Sequence, residues 1–202
     1  MTRREFDVAT KVRRAVPAVR VDESSARAVV EQIAEEAPIA LVYNGVPHVV
    51  VMATPADLED LALGFSLSEG VIGCAAELGG IEIVPEQTGY SVHMSVPPER
   101  AAIIEQRRRN MTARTGCGVC GAETIEQAMR DVPRVAAPKV TAGQRLTRQA
   151  MAAAMNQMPS LQTLNAATGA THAAAWANLD GQLQLVREDV GRHNALDKLI
   201  GA

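Results

Sequence analysis

Apolar positions along the chain recur with two different periods, and the places where one period gives way to the other mark the elements. Ile39 to Tyr43 and Val46 to Ala53 are apolar runs of strand length on either side of Asn44-Gly45. That dipeptide accepts the positive φ angles of a type I′ turn, so the spacing predicts a hairpin. Leu58, Leu61, Ala62 and Phe65 then follow at helical spacing, with Thr54 and Pro55 just ahead of them. They predict a helix capped at Thr54 that ends near Gly70. Upstream, Ala26, Val29, Val30 and Ile33 share one helical face, Ser24 or Ser25 stands where a cap would, and Pro38 is a stop. This predicts a helix to about Glu36. Residues 1–15, with the basic cluster Lys11, Arg13 and Arg14, show no period and are expected to form a flexible N-terminal extension.

The second half repeats this alternation. Ile81 to Val84 and Tyr90 to Val96 predict a further strand pair, and Pro98 opens a helix through Arg109 whose basic last turn complements its dipole. Leu146 to Met158 predicts a helix whose methionines are read as core filler. Thr171 to Asn178 and Gln182 to Glu188 flank Asp180-Gly181 as a second hairpin, leading into a helix that starts around His193. Strands interspersed with helices favour an α/β layered fold with a mixed sheet. The expected division is an N-terminal α/β lobe over 16–109, a mobile loop over 110–121 and a C-terminal α/β lobe over 122–202.

A net charge of -3 offers no global field for nucleic acid or membrane, and two Phe, two Tyr and one Trp leave few rings on which bases could stack. No apolar run is long enough for a signal peptide or a membrane span, so a cytoplasmic protein is expected. Three cysteines do not make a disulfide framework, but Cys117 and Cys120 stand at CxxC spacing. The loop around them is rich in glycine, and Ala122, Ile125, Ala128 and Met129 restore helical spacing directly after it. The free N–H groups of a helix start, with Arg114 nearby, favour thiolate. Redox, metal and sulfur chemistry all use this spacing. Structural zinc wants a second ligand pair at finger spacing, which is missing. A zinc deaminase needs His or Cys two residues before Glu, and no such pair occurs. Gly116-Cys-Gly-Val-Cys-Gly121 matches a dinucleotide loop formally, but a helix and loop precede it where a strand is required. Thiol–disulfide exchange and sulfur transfer stay open, and Cys74 reads as an isolated small thiol.

The second polar constellation runs from Arg187 to Lys198, across a predicted strand-to-helix turn at Gly191. Arg192 and the helix N–H groups could hold a phosphate, and His193 could shuttle a proton. Equally, Asp189 could be a helix cap and Arg192, His193 and Lys198 a solvated face.

Thr115-Gly-Cys-Gly-Val-Cys-Gly121, Thr171-His-Ala-Ala-Ala-Trp176 and Glu188-Asp-Val-Gly-Arg-His-Asn-Ala-Leu-Asp-Lys-Leu199, in that order, resemble the formate dehydrogenase accessory sulfurtransferase family, FdhD/NarQ. Leu63-Gly-Phe-Ser-Leu-Ser-Glu-Gly-Val71 is similar to the same family. The resemblance implies a cytidine-deaminase-like fold without deaminase zinc chemistry, C-terminally truncated here relative to the family. It further implies a sulfurtransferase that takes sulfur from a cysteine desulfurase and passes it to the molybdenum or tungsten bis-guanine-dinucleotide cofactor of formate dehydrogenase. Cys117 would then bear the persulfide and Cys120 assist its relay or release. His172, Asp189, Arg192 and His193 are the candidate cofactor-facing residues. No resident cofactor or metal is implied, and a homodimer is expected. The alternative is a cofactor-binding chaperone in which the cysteines are dispensable.

Overall fold

The computed structural model describes residues 12–109 and 145–202. Its largest sheet forms where the sequence is most strongly apolar. Strands β3 (Ala37–Tyr43) and β4 (Val46–Ala53) pair antiparallel around the predicted turn. Asn44 and Gly45 both take positive φ, 50° and 77°, as type I′ geometry requires. Strands β5 (Gly79–Pro85) and β6 (Tyr90–Ser95) form the second antiparallel pair, and β6 runs parallel to β3. The order is therefore β4-β3-β6-β5, a mixed sheet as expected from the alternation.

Helix α1 (Leu58–Ser68) lays Leu58, Leu61, Ala62 and Phe65 on this sheet, against Ile39, Leu41, Val92 and Met94. These are the positions its spacing singled out. Helix α2 (Pro98–Arg109) adds Ile104 to the same core. Each fully buried aliphatic side chain here contributes about 1.5–3 kcal/mol. Tyr43 is buried with them because its hydroxyl meets Ser66 Oγ at 2.7 Å, and Ser66 in turn donates to Ala62 O. Burial pushes the Tyr43 phenol up to about 12. The start of α1 differs from expectation: its cap position is Asp57, in a left-handed conformation, and Thr54 is engaged elsewhere.

The expected helix over 24–36 is a strand. β1 (Arg13–Val21) and β2 (Ala26–Ala34) form a separate two-stranded ribbon. Val29, Val30 and Ile33 are β-branched and prefer extended backbone once a partner strand exists. Ser24 and Ser25 cap no helix: their N–H and hydroxyl groups donate to the Asp22 carboxylate and close the hairpin turn. Those bonds also hold Asp22 below the usual carboxylate range. The ribbon begins at Arg13, so the tail expected over 1–15 is too long by at least three residues; positions 1–11 lie outside the described residues.

In the C-terminal half, Thr147 Oγ1 accepts the Ala150 N–H and starts α3 (Arg148–Leu161), followed by α4 (Thr163–Thr168). Two of the three methionines of α3 are not core filler, while Met158 is half-buried. Met151 and Met155 are 55% and 67% exposed, because the buried stripe of this helix runs through Ala150 instead. Strands β7 (His172–Ala177) and β8 (Leu183–Asp189) make the second predicted hairpin, and α5 (Arg192–Gly201) follows it.

Helix α5 packs against α1 backbone to backbone. A Cβ on Gly64 would lie 1.7 Å from Asp197 O, and one on Gly201 would lie 2.0 Å from Asp60 O. No side chain stands between the helices there to move aside. Gly64→Ala is expected to destabilise the fold by about 3 kcal/mol or more in urea unfolding, since rigid overpacking is costly. Gly45→Ala, where nothing lies within 4 Å and only the positive φ is strained, should cost about 1–2 kcal/mol.

Candidate functional site

The polar constellation after β7 folds around one carboxylate. Asp189 closes β8 and is completely buried. Its Oδ2 accepts the Thr54 N–H at 2.9 Å and meets Lys198 Nζ at 2.7 Å. Its Oδ1 accepts the Gly191 N–H at 2.7 Å and Asn194 Nδ2 at 3.1 Å. Lys198 is buried as completely, and its ammonium also donates to Thr54 O at 2.9 Å. Thr54 Oγ1 accepts the Val190 N–H at 3.1 Å, and Asn194 Nδ2 reaches Met52 O at 2.7 Å. Burying two charges costs several kcal/mol apiece, and only close pairing with satisfied remaining bonds offsets it. Here the pairing is close, each carboxylate oxygen meets two donors, and the ammonium meets two acceptors.

This geometry corrects two expectations. Asp189 does not face a ligand, because it is inaccessible and both its oxygens are engaged; nor does it cap α5, whose cap position is Gly191. Lys198 is not part of a solvated face. The sequence carried a signal for its burial: Ala195, Lys198 and Gly201 fall on one stripe of α5, the stripe turned toward α1 and the loop after β4. Thr54, which sequence reasoning placed at a helix start, is the residue it missed here.

Arg192 and His193 are exposed at the first turn of α5, which has no side-chain cap. His172 opens β7, is exposed, and stands directly across from Asp189 in the register. Three of the four candidate cofactor-facing residues are thus accessible at one end of the β7–β8 hairpin, and the fourth lies beneath them. Their acidic neighbours point elsewhere. Glu188 accepts the Leu164 and Asn165 N–H groups at 2.9 and 2.7 Å and Thr171 Oγ1 at 3.0 Å, which fixes the start of α4. Arg187 pairs with Asp60 of α1 at 2.7 Å. Asp197, half-buried on α5, accepts Ser68 Oγ at 2.7 Å. Burial raises its carboxyl above the ordinary range, the Ser68 bond opposes this, Glu69 adds to it and His193 counters it.

Cys117 and Cys120 lie outside the described residues, as does Arg114. Cys74 is exposed, beside the ion pair of Arg100 with Glu77 at 2.8 Å. A groove of about 490 Å³ between Thr147, Ala150, Leu179 and Asp180 opens at the tip of the β7–β8 hairpin and contains none of the candidates. Among the described residues no three His, Cys, Asp or Glu side chains converge as a metal site, and no helix is long and apolar enough to cross a membrane.

Fold and site together define a mixed α/β protein that presents a basic turn over a buried charged clamp. The FdhD/NarQ family model matches residues 34–202, and the chain belongs to that family. It is 53% identical over 172 residues to the sulfur carrier protein FdhD of Xanthomonas euvesicatoria pv. vesicatoria (strain 85-10), and 52% identical over 174 residues to that of Bordetella petrii. Each alignment covers 85% of this chain, and the chain spans 59% and 60% of those relatives' own lengths. The crystal structure of a proposed formate dehydrogenase accessory protein from Desulfotalea psychrophila shares the fold, with a TM-score of 0.62, 23% identity, and coverage of 94% of this chain and 67% of that one.

Lys198→Met leaves the Asp189 carboxylate buried without its cation and is expected to cost about 3–5 kcal/mol in denaturant unfolding. Asp197→Asn acts in the opposite direction. A carboxyl whose folded pKa is raised binds protons more readily in the native state, so its ionisation weakens the fold as pH rises through that pKa. Asn keeps an acceptor for Ser68, so Tm at pH 7 should rise, and the gain should vanish once the wild-type carboxyl is protonated in acid.

Proposed function

We propose that the protein is a cytoplasmic sulfurtransferase that supplies sulfur for formate dehydrogenase. The Cys117 thiolate attacks the terminal sulfur of a cysteine desulfurase persulfide, the donor's S–S bond breaks, and the donor leaves as a thiolate. Cys117 then carries the sulfur as a persulfide, with no net oxidation. For delivery, the Cys120 thiolate attacks Cys117 Sγ and frees the terminal atom as hydrosulfide. The two electrons come from the cysteine pair, which is left as a disulfide for a cellular thiol to reduce. The acceptor is the molybdenum or tungsten bis-guanine-dinucleotide cofactor, which is the substrate of the reaction.

The observation that carries this reading is the Cys-Gly-Val-Cys element within a chain more than half identical to proteins named sulfur carriers. The exposed cluster of His172, Arg192 and His193 supports an acceptor that bears phosphates, because these are the side chains that engage such groups. A homodimer is supported by the β1–β2 ribbon. One face of the ribbon meets α4, but Val19, Val21 and Val30 on its other face are 65%, 72% and 70% exposed, an apolar strip that a second copy would cover.

Incubation with a cysteine desulfurase and cysteine, followed by intact-protein and peptide mass spectrometry, should show one added sulfur on Cys117. Cys117→Ala should abolish that addition and the activation of formate dehydrogenase. Cys120→Ala should load sulfur but release it at least tenfold more slowly, as expected when an intramolecular nucleophile is lost. Full activation by the double variant would make the protein a chaperone and not a carrier.

A further inference from the structure

The sulfur-carrier reading leaves the buried clamp without a role, although a buried ion pair is a weak source of stability and well-packed apolar residues in its place are often neutral or better. What such a network does supply is a single arrangement of the groups it joins. Thr54 is its hinge point. The residue has no exposed surface and cannot touch a ligand. Its N–H donates to Asp189 Oδ2, its carbonyl accepts Lys198 Nζ, and its hydroxyl accepts the Val190 N–H. The last bond acts on the peptide that joins Asp189 to Val190, two residues ahead of Arg192. It is also the only one of the three that side-chain chemistry can remove, because the other two belong to the Thr54 backbone.

We infer that Thr54 is a positioning residue for sulfur delivery: through Val190 and Asp189 it holds the β8–α5 turn in the arrangement that presents Arg192 and His193 to a phosphate-bearing acceptor. The inference rests on the sulfur-carrier reading and adds to it a residue remote in sequence from both motifs. It assigns Thr54 to the acceptor half of the reaction and not to sulfur uptake, since its polar groups all hold the turn and its neighbours.

Thr54→Val keeps the side-chain volume and removes the acceptor, whereas Thr54→Ser keeps the acceptor and removes a methyl group. The two half-reactions are read separately, sulfur uptake by mass spectrometry and delivery by activation of formate dehydrogenase, together with the backbone amide resonances of Gly191, Arg192 and His193. Thr54→Val should take up sulfur as wild type does, activate formate dehydrogenase roughly tenfold less well, as expected when one buried donor loses its acceptor, and shift those three resonances. Thr54→Ser should restore all three readouts. Equal activation by Thr54→Val and wild type would overturn the inference. So would an equal fall in uptake and activation, which marks general destabilisation, or a Thr54→Ser variant as impaired as Thr54→Val. Absence of sulfur uptake by the wild-type protein would instead remove the carrier reading itself, and the inference with it.

Discussion

The ion pair of Asp189 with Lys198 is the constraint on which the C-terminal half depends. Neither group could stay charged and buried alone, so the fold must bring them together and complete their remaining bonds. That requirement fixes three segments at once. The end of β8 supplies the carboxylate, the last turn of α5 the ammonium, and the loop after β4 a backbone donor and acceptor at Thr54. The clamp therefore joins the main sheet to the C-terminal hairpin, with more than 130 residues between the partners. It also dictates where α5 begins, because Asp189 Oδ1 holds the Gly191 N–H and the Asn194 amide together.

A second constraint makes the clamp possible. Lys198 reaches Thr54 O only because α5 lies directly on α1, and the helices approach that closely only because Gly64 and Gly201 carry no side chains. Ser68 of α1 with Asp197 of α5 locks the same contact directly, and Asp60 of α1 with Arg187 of β8 ties α1 to the hairpin from which α5 continues. These pairs are partly exposed and individually weak. Their effect is on alignment: they select one relative position of two helices whose glycines would tolerate sliding.

Much of this was legible in the sequence. Asn44-Gly45 named its turn, and Leu58, Leu61, Ala62 and Phe65 named the buried face of α1, because in both places local chemistry and tertiary environment agree. The β1–β2 ribbon was not legible. Ala26, Val29, Val30 and Ile33 fall at helical spacing, whereas in β2 they divide two and two between its faces, so no one-sided alternation announces the strand. Lys198 was misread for another reason. A lysine late in a helix is usually solvated, and nothing near it in the sequence announces Thr54, whose carbonyl completes its bonds from 144 residues away. Likewise Asp189 resembles a ligand-facing acid until its four donors are known.

The way this segment distributes its charge explains why an acid should be placed beneath a basic turn at all. Between Arg187 and His193 the chain carries two acids and two arginines. Arg187 is turned to Asp60, Glu188 to the start of α4, and Asp189 inward to Lys198. Each acid is held by backbone N–H groups that no change of pH removes. What remains at the surface is Arg192 and His193, at the positive end of α5 and beside His172. A chain with a net charge of -3 has no general attraction for phosphates, so any hold on one must be local. Pairing Asp189 with a buried lysine cancels its charge without exposing either partner. The acids that shape the turn then leave its outward field basic, and shaping and recognition can be served by the same few residues without opposing each other.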